Sequence, residues 1–160
     1  MTTPVSDPHQ PVRACVFVLA GQQLAADIRH TREVVVLPDR TAVPGAPAHV
    51  LGVANLRGCV VPIVDIRHLL DLPPRPASEA PKTPKTLVLE DAGVQIAVAT
   101  DEVLGLESFD DVLPTAEMAR TPHGELALGL LRRGDGVATL LDVPRLIEAV
   151  RVRPPSRPDA

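Results

Sequence analysis

The run Asn55-Leu56-Arg57-Gly58-Cys59-Val60-Val61-Pro62-Ile63-Val64-Asp65-Ile66-Arg67 decides how the rest of the chain is interpreted. It places a turn, Asn-Leu-Arg-Gly, directly before an apolar segment rich in β-branched side chains, which is the pattern of a buried strand. Asp65 follows at the position of a helix N-cap, and the apolar residues after it predict a short helix. Arg57, at the mouth of the predicted strand, is either a binding residue or a solvated turn residue.

The same pattern recurs in the second half of the chain. Gly52–Leu70 aligns without a gap on Gly129–Ile147, and the two segments share the first glycine and the aspartate before the helix. We interpret this as a true repeat. The turns differ, because Asn55-Leu56-Arg57-Gly58 is replaced by Arg132-Arg133-Gly134-Asp135. A turn that differs between matching repeats is where a specific role is expected.

Prolines and turn residues divide the chain, and residues 13–150 are expected to form a single domain of two repeated lobes. Short strands with glycine-containing turns and one short helix in each half are typical of two small β-barrels. Residues 48–54 are predicted to form a helical turn. The expected parts are, in order, a disordered leader (1–12), a first lobe (about 13–71), a proline-rich linker (72–84), a second lobe (85–150) and a flexible tail (151–160).

Composition limits the classes of function. Of the 160 residues, 45% are hydrophobic, but two Phe and no Tyr or Trp leave the core aliphatic and make base stacking a poor expectation. The net charge of −4, without any basic block, argues against nucleic acid as a partner. The apolar runs are too short to span a bilayer, so no membrane insertion is expected. We expect a cytoplasmic protein in which Cys15 and Cys59 are both buried in apolar strands.

The sequence offers little catalytic equipment. The histidines have no metal-ligand spacing, so no metal site and no cofactor are expected. Cys59 near His49 or His68 could be proposed as a nucleophile, but a thiol in a buried strand is expected to be inert. The carboxylates of Asp101-Glu102 and Asp110-Asp111 are interpreted as an exposed acidic rim, with an acid–base pair as the alternative. These observations predict a non-enzymatic interaction module without a small-molecule substrate.

The run Gly52-Val53-Ala54-Asn55-Leu56-Arg57-Gly58, followed by residues 60–67, closely resembles the signature of CheW, the bacterial chemotaxis coupling protein family. The resemblance extends over roughly residues 14–150. It implies a mainly β fold of two five-stranded β-barrel lobes with short helices and a shared apolar core. It also implies an adaptor that couples the cytoplasmic tips of methyl-accepting chemoreceptors to the regulatory domain of a CheA-type histidine kinase, at the inner face of the membrane.

The resemblance implies particular site residues. Arg57 and Glu33 match receptor-facing residues of the family, and Gly52, Asn55 and Gly58 match positions associated with receptor or kinase binding. The first lobe is implied to dock on the kinase. Elementary chemistry agrees, because glycine allows close backbone approach and an arginine presents planar donors to carboxylates or helix ends.

The chain also departs from the family pattern. Leu24 stands where the family usually has an aromatic residue, and His30-Thr31 replaces more apolar residues beside Glu33. These departures favour keeping a second interpretation open, a CheW-like scaffold of a pilus-motility or second-messenger pathway. A small hydrolase that uses Cys59 or the acidic rim is the alternative from a different class.

Overall fold

The computed structural model describes residues 11–36, 39–70, 72–73, 85–113 and 125–151. The predicted leader, linker and tail lie outside the described residues except at 11–12, 72–73 and 151. The elements are, in chain order, β1 (Val12–Leu19), β2 (Gln22–Asp27), a 3-10 turn (Ile28–His30), β3 (Thr31–Val36), β4 (Val50–Leu56), β5 (Cys59–Val64), α1 (Arg67–Leu70), β6 (Lys85–Asp91), β7 (Val94–Ala99), β8 (Glu102–Phe109), β9 (Ala127–Arg133), β10 (Gly136–Leu141) and α2 (Val143–Arg151).

The strands form two five-stranded sheets. The first sheet has the order β8-β1-β2-β10-β9, and the second sheet has the order β3-β6-β7-β5-β4. Within each sheet one neighbouring pair is parallel, β2 with β10 and β5 with β7, and the other pairs are antiparallel. The predicted mainly β fold with two five-stranded units is therefore confirmed.

The two halves of the chain are interleaved. The first sheet takes β1 and β2 from the first half and β8, β9 and β10 from the second, and the second sheet has the complementary composition. The two strand orders are related by the repeat itself, because each strand of one sheet occupies the place of its counterpart in the other. The sequence division into lobes at about 13–71 and 85–150 is therefore wrong at the level of the sheets, since strand pairing at long range joins segments from both.

The prediction of closed barrels also needs correction. The strand orders end at β8 and β9 in the first sheet and at β3 and β4 in the second, and no hydrogen-bonded ladder joins these edges in the described part of the chain. Each sheet nevertheless curls around its own small apolar cluster, which contains Phe109 and Leu131 in the first sheet and Val61 and Val88 in the second. The lobes are curled sheets with an open seam.

The predicted shared apolar core is confirmed. Side chains from both sheets and both helices meet between the sheets, among them Leu19, Leu87 and Leu146, all fully buried. The core is aliphatic except for Phe17 and Cys15, in line with the composition. Burial of this apolar surface is the main favourable term in folding.

The repeat is confirmed in its local structure. Strands β5 and β10 have the same pattern of exposed and buried positions, with two exposed residues first. The shared aspartates both accept hydrogen bonds at the start of a helix, Asp65 Oδ1 from Arg67 N at 3.1 Å and Asp142 Oδ1 from Arg145 N at 3.2 Å. These are the cap interactions that the sequence predicted.

Two local predictions in the first half are wrong. Residues 48–54 are not a helical turn, because residues 50–56 form β4 and pair with β5. The apolar run from Cys59 is buried only from Val61 onward, and Val60 is 70% exposed. The reason is geometric, since β5 pairs with β7 only at Ile63 and Val64. The preceding part of β5 pairs with β4 alone, so the β4–β5 hairpin leaves the sheet as a two-stranded ribbon.

Candidate functional site

The tip of the protruding ribbon is a tight two-residue turn. Leu56 pairs with Cys59, which leaves Arg57 and Gly58 as the loop, with φ values of 56° and 86°. Positive φ at both central positions defines a type I′ turn, whose twist matches that of the flanking strands. The Asn55 Oδ1 accepts a hydrogen bond from Gly58 N at 2.9 Å. Asn55 and Gly58 therefore shape the turn that presents Arg57.

Arg57 occupies a backbone conformation that suits other residues better. An L-residue with a side chain is disfavoured in the left-handed region, and glycine or asparagine is usual there. The two hairpins that begin each half use alanine at this place, Ala20 and Ala92, with φ of 52°. At the position of Arg57 in the second repeat, the chain has Gly134, with φ of 59°. The arginine therefore costs backbone free energy that its repeat counterpart does not.

The Arg57 guanidinium is held by Glu33. Nε donates to Oε2 at 3.1 Å and Nη2 donates to Oε1 at 2.7 Å, which is a bidentate pair. We call this the turn pair. The Arg57 side chain is 79% exposed and that of Glu33 26%. The hydrogen bonds to Glu33, and secondarily its charge, raise the pKa of Arg57, which stays charged at any working pH.

The turn pair joins the two edges of the second sheet, because Glu33 lies on β3 and Arg57 follows β4. The resemblance implied that these two residues belong together, and the structure places them in direct contact. Sequence spacing alone did not predict that contact, since 24 positions separate them in the chain.

Apolar side chains lie exposed on the same strands. Val34 and Val36 on β3 are 40% and 56% exposed, and Val60 on β5 is cross-strand from Asn55. The sequence predicts Val60 within a buried strand and does not indicate Val34 or Val36 as site residues. Exposed and partly buried residues alternate along β3 in the structure. The sequence Thr-Arg-Glu-Val-Val-Val shows no such alternation, so it could not indicate which valines are exposed.

Gly52 has a different role from Gly58, the glycine of the Asn55–Gly58 turn. It has φ of +153°, and a Cβ on it would lie 2.7 Å from the Thr41 carbonyl oxygen. Thr41 and Val53 exchange two backbone hydrogen bonds of 2.9 Å across this contact. The repeat counterpart Gly129 is equally close to the Leu113 carbonyl oxygen, at 2.7 Å. Gly52 is therefore a packing position of the fold, whereas a Cβ at Gly58 would point into open space.

The first sheet is also bridged by an arginine and a glutamate. Arg133, the last residue of β9, donates from Nε and Nη2 to Glu107 on β8 at 2.7–3.0 Å, and Nη1 lies 3.4 Å from Gln23 Oε1. We call this the strand pair. Its side chains are 29% and 32% exposed. The hydrogen bonds from Arg133 lower the pKa of Glu107 and those to Glu107 raise the pKa of Arg133.

The candidate catalytic groups are not brought together. Cys59 is exposed rather than buried, so the expected inertness by burial is wrong; Cys15 is the buried thiol, and its burial raises its pKa. The His49 ring lies 3.3 Å from the Val150 carbonyl oxygen, at the end of α2. Asp101 pairs with Arg67, and Asp101 and Glu102 lie at the start of β8, whereas Asp110 and Asp111 follow its other end, so the predicted rim is divided between the two ends of the strand.

The described residues offer neither a metal site nor a membrane-spanning helix. Within the described ranges, no group of three or more His, Cys, Asp or Glu side chains is placed to hold a metal ion. None of the helices described here has the length and apolar character needed to cross a membrane.

Leu24, which replaces an aromatic residue of the resembled family, is 5% exposed and lines an apolar groove together with Leu70, Leu72 and Leu141.

A two-sheet β domain that presents a held arginine on a protruding hairpin has the character of a protein-interaction domain. The family model described as CheW-like domain matches residues 13–151. The chain is 26% identical over 137 residues to chemotaxis protein CheW of Thermotoga maritima, covering 86% of this chain and 88% of that protein. It is 33% identical over 115 residues to Protein PilI of Pseudomonas aeruginosa, covering 68% of this chain and 63% of that protein.

The fold has a close structural relative as well. The crystal structure of the scaffolding protein TtCheW from Thermoanaerobacter tengcongensis superimposes with a TM-score of 0.72 at 22% identity, covering 82% of this chain and 89% of that one. The chain belongs to the family of proteins with a CheW-like domain, the chemotaxis coupling proteins. It is an adaptor of chemosensory signalling.

Proposed function

We propose that this adaptor is non-enzymatic and couples the cytoplasmic tip of a methyl-accepting chemoreceptor to the regulatory domain of a CheA-type histidine kinase. It acts in the cytoplasm, in receptor arrays at the inner face of the membrane. The observation that carries the proposal is Arg57, an exposed arginine held by Glu33 in a left-handed turn position. The backbone conformation alone does not single out Arg57, because Ala20 and Ala92 have similar φ values. The exposed guanidinium held by Glu33 is what distinguishes it.

Arg57 suits a receptor contact because it is already oriented. A guanidinium has five N–H donors, and Glu33 accepts from Nε and Nη2. The remaining donors can bind carboxylate or carbonyl oxygens of a receptor helix hairpin. Because Glu33 fixes the plane of the guanidinium, less side-chain entropy is lost on binding than for a free arginine.

The kinase is proposed to dock on the first-half strands of the second sheet. Val34, Val36 and Val60 supply exposed apolar surface there, and the core of a non-obligate interface is typically apolar with few charges. Gly52, Asn55 and Gly58 contribute indirectly. Gly52 lets β4 pack against Thr41, and the other two shape the turn.

The direct experiment measures binding of the full chain to a receptor cytoplasmic hairpin and to the kinase regulatory domain. Arg57→Ala is expected to weaken receptor binding about 10- to 100-fold, as for an interface arginine, while kinase binding and melting temperature stay unchanged. Arg132→Ala is the matched control, since Arg132 is an exposed arginine on the other hairpin. Absence of binding to both partners by the wild-type chain at tens of micromolar would refute the proposal.

A CheW-like scaffold of a pilus-motility or second-messenger pathway remains the second candidate. It is favoured by the 33% identity to Protein PilI. Titrations with receptors and kinases from each type of pathway separate the two candidates, because only the cognate pair is expected to form a ternary complex at low micromolar concentration.

The alternative that the protein is a hydrolase using Cys59 is tested by the variant Cys59→Ser. Because Cys59 is exposed, its reaction with a thiol reagent carries no information about catalysis. Cys59→Ser is instead expected to leave binding of receptor and kinase unchanged. A hydrolytic activity of the wild-type chain that Cys59→Ser abolishes would contradict the adaptor proposal.

A further inference from the structure

A buried arginine connects the two sheets. Arg67 begins α1, directly after the second sheet's β5, and its side chain is 3% exposed. Its Nη2 donates to Asp101 Oδ1, and its Nη1 lies 3.4 Å from Asp65 Oδ1. The Nε atom is buried without a hydrogen-bond partner among the described residues. A guanidinium in such a position has lost its hydration and depends on these carboxylates.

Asp101 carries the connection into the first sheet. It lies between β7 of the second sheet and β8 of the first, where the chain crosses from one to the other. Its Oδ2 accepts a hydrogen bond from Ala20 N, and its own N donates to Val18 O, both at 2.9 Å. Asp101 is therefore fixed to the β1–β2 hairpin while it binds the arginine of α1.

The connection is present at only one of two equivalent junctions. In the repeat, Arg67 aligns with Pro144, although the aspartates that precede them, Asp65 and Asp142, are shared. The counterpart of Asp101 in the first half is Arg29, because each lies two residues after the end of its strand, β7 or β2. The Arg29 side chain is largely exposed and pairs locally with Asp27. The fold can thus complete this junction without a buried ion pair.

We propose that Arg67 and Asp101 form a clamp that fixes the orientation of the second sheet relative to the first, and that Arg67 is a positioning residue for holding two partners in one geometry. Apolar packing between sheets tolerates small displacements, whereas a hydrogen-bonded charge pair has one satisfactory geometry. Breaking a buried pair leaves an uncompensated charge, so the pair constrains orientation strongly. The second part of this proposal rests on the proposed adaptor function.

The orientation is measured by spin-label distances in the full chain. One label is placed on Val34→Cys in the second sheet and the other on Leu106→Cys in the first, both exposed and both paired with a neighbouring strand, in a Cys59→Ser background. Cys15 is buried and does not compete for label. A single narrow distance is expected for this labelled background and for the matched control Arg145→Met, which removes an exposed pair with Asp142 that lies within one helix end.

Arg67→Met and Asp101→Asn are each expected to broaden the distance distribution or add a second peak. Asp101→Asn retains the shape and an oxygen that can accept from Ala20 N, so it carries the test if Arg67→Met does not fold. An unchanged narrow distribution in the folded variants would overturn the clamp. Unfolding of both variants would overturn it as well, since the pair would then be a stability element.

Binding and kinase-activation measurements distinguish a failure of the clamp proposal from a failure of the adaptor proposal. Asp101→Asn is expected to bind receptor hairpin alone and kinase domain alone within about twofold of the wild type, but to lose at least tenfold in ternary-complex formation and kinase activation. Broadened distances with an unchanged ternary complex would overturn the positioning role. If the unmodified chain binds neither partner, the proposed function fails, whereas the distances still decide whether the clamp exists.

Discussion

The turn pair and the strand pair both connect the two edges of a sheet, but they differ in where the arginine lies and in how exposed it is. Each is an arginine–glutamate pair that joins the edge strands of a curled sheet. The strand pair uses an arginine at the end of a strand, half-buried and supported by Gln23. The turn pair uses an arginine in a left-handed turn, 79% exposed. The two arginines are not at equivalent positions, so neither pair is inherited from the repeat.

This difference bears on the proposed role of Arg57. The first sheet shows that a seam can be bridged without placing an arginine in a strained turn. Bridging therefore does not explain why Arg57 stands where the other repeat has Gly134. The proposed partner contact would explain it, because the turn is the part of the hairpin that projects furthest from the sheet.

The largest effect on stability is expected at the two equivalent glycines. Gly52→Ala and Gly129→Ala should each lower the free energy of unfolding by roughly 2–4 kcal/mol, because the new Cβ collides with a backbone carbonyl. Gly52→Ala should be the more damaging, since its φ of +153° adds strain. Urea denaturation measures both.

Gly136→Ala is the control for these glycines, because its Cβ would meet only the Arg133 carbonyl oxygen at 3.9 Å. It should change stability little. If Gly52→Ala instead kept full stability and lost only partner binding, Gly52 would be a contact residue and the equivalence of the two glycines would be broken.

A smaller effect distinguishes the two ion pairs. Arg133→Met should cost about 1–2 kcal/mol of unfolding free energy, because half-buried Glu107 loses its charged donors. Arg57→Met should leave the unfolding free energy unchanged within error, since exposed pairs contribute little. Parallel urea titrations of the two variants test the contrast, and equal losses would show that the turn pair is a structural element as well.

The smallest effect is a pH dependence of the strand pair. Arg133 holds the pKa of Glu107 below its ordinary value of 4.5. A carboxyl with a lowered folded-state pKa contributes stability that is complete above the unfolded pKa and is lost as the pH falls through the folded pKa. The stability difference between wild type and Arg133→Met should therefore be constant above about pH 5 and shrink below pH 4.5. A difference that grew on acidification would contradict this.

The sequence predicted the local features of this fold because they depend on neighbouring residues. The hairpin turns, the aspartate caps and the repeat all follow from turn chemistry and apolar pattern. The interleaving of the halves does not, because strand order is set by contacts between segments far apart in the chain. The exposure of Cys59 and Val60 was missed for the same reason, since an apolar run does not reveal where its neighbouring strand ends.

The candidate site was predicted in part. Arg57 was singled out by the turn that differs between repeats, whereas Glu33 came only from the family resemblance. The Arg67–Asp101 contact was missed. The sequence does contain a sign of this contact, an arginine two residues after the N-cap aspartate and close to the apolar residues Ile66, Leu69 and Leu70. It does not identify the partner, Asp101, which lies 34 residues further along the chain.

The most direct test of the central claim is Arg57→Asn, read by melting temperature and receptor affinity together. Asn-Gly is the most favourable pair for a type I′ turn, so the melting temperature should rise by about 2–4 °C. Affinity for the receptor hairpin should fall at least about 10-fold, because the guanidinium is gone. Stability and binding would then move in opposite directions. Two results would contradict the claim that Arg57 serves receptor binding although asparagine would make the turn more stable. One is a melting temperature that falls together with the affinity, and the other is an affinity that does not change.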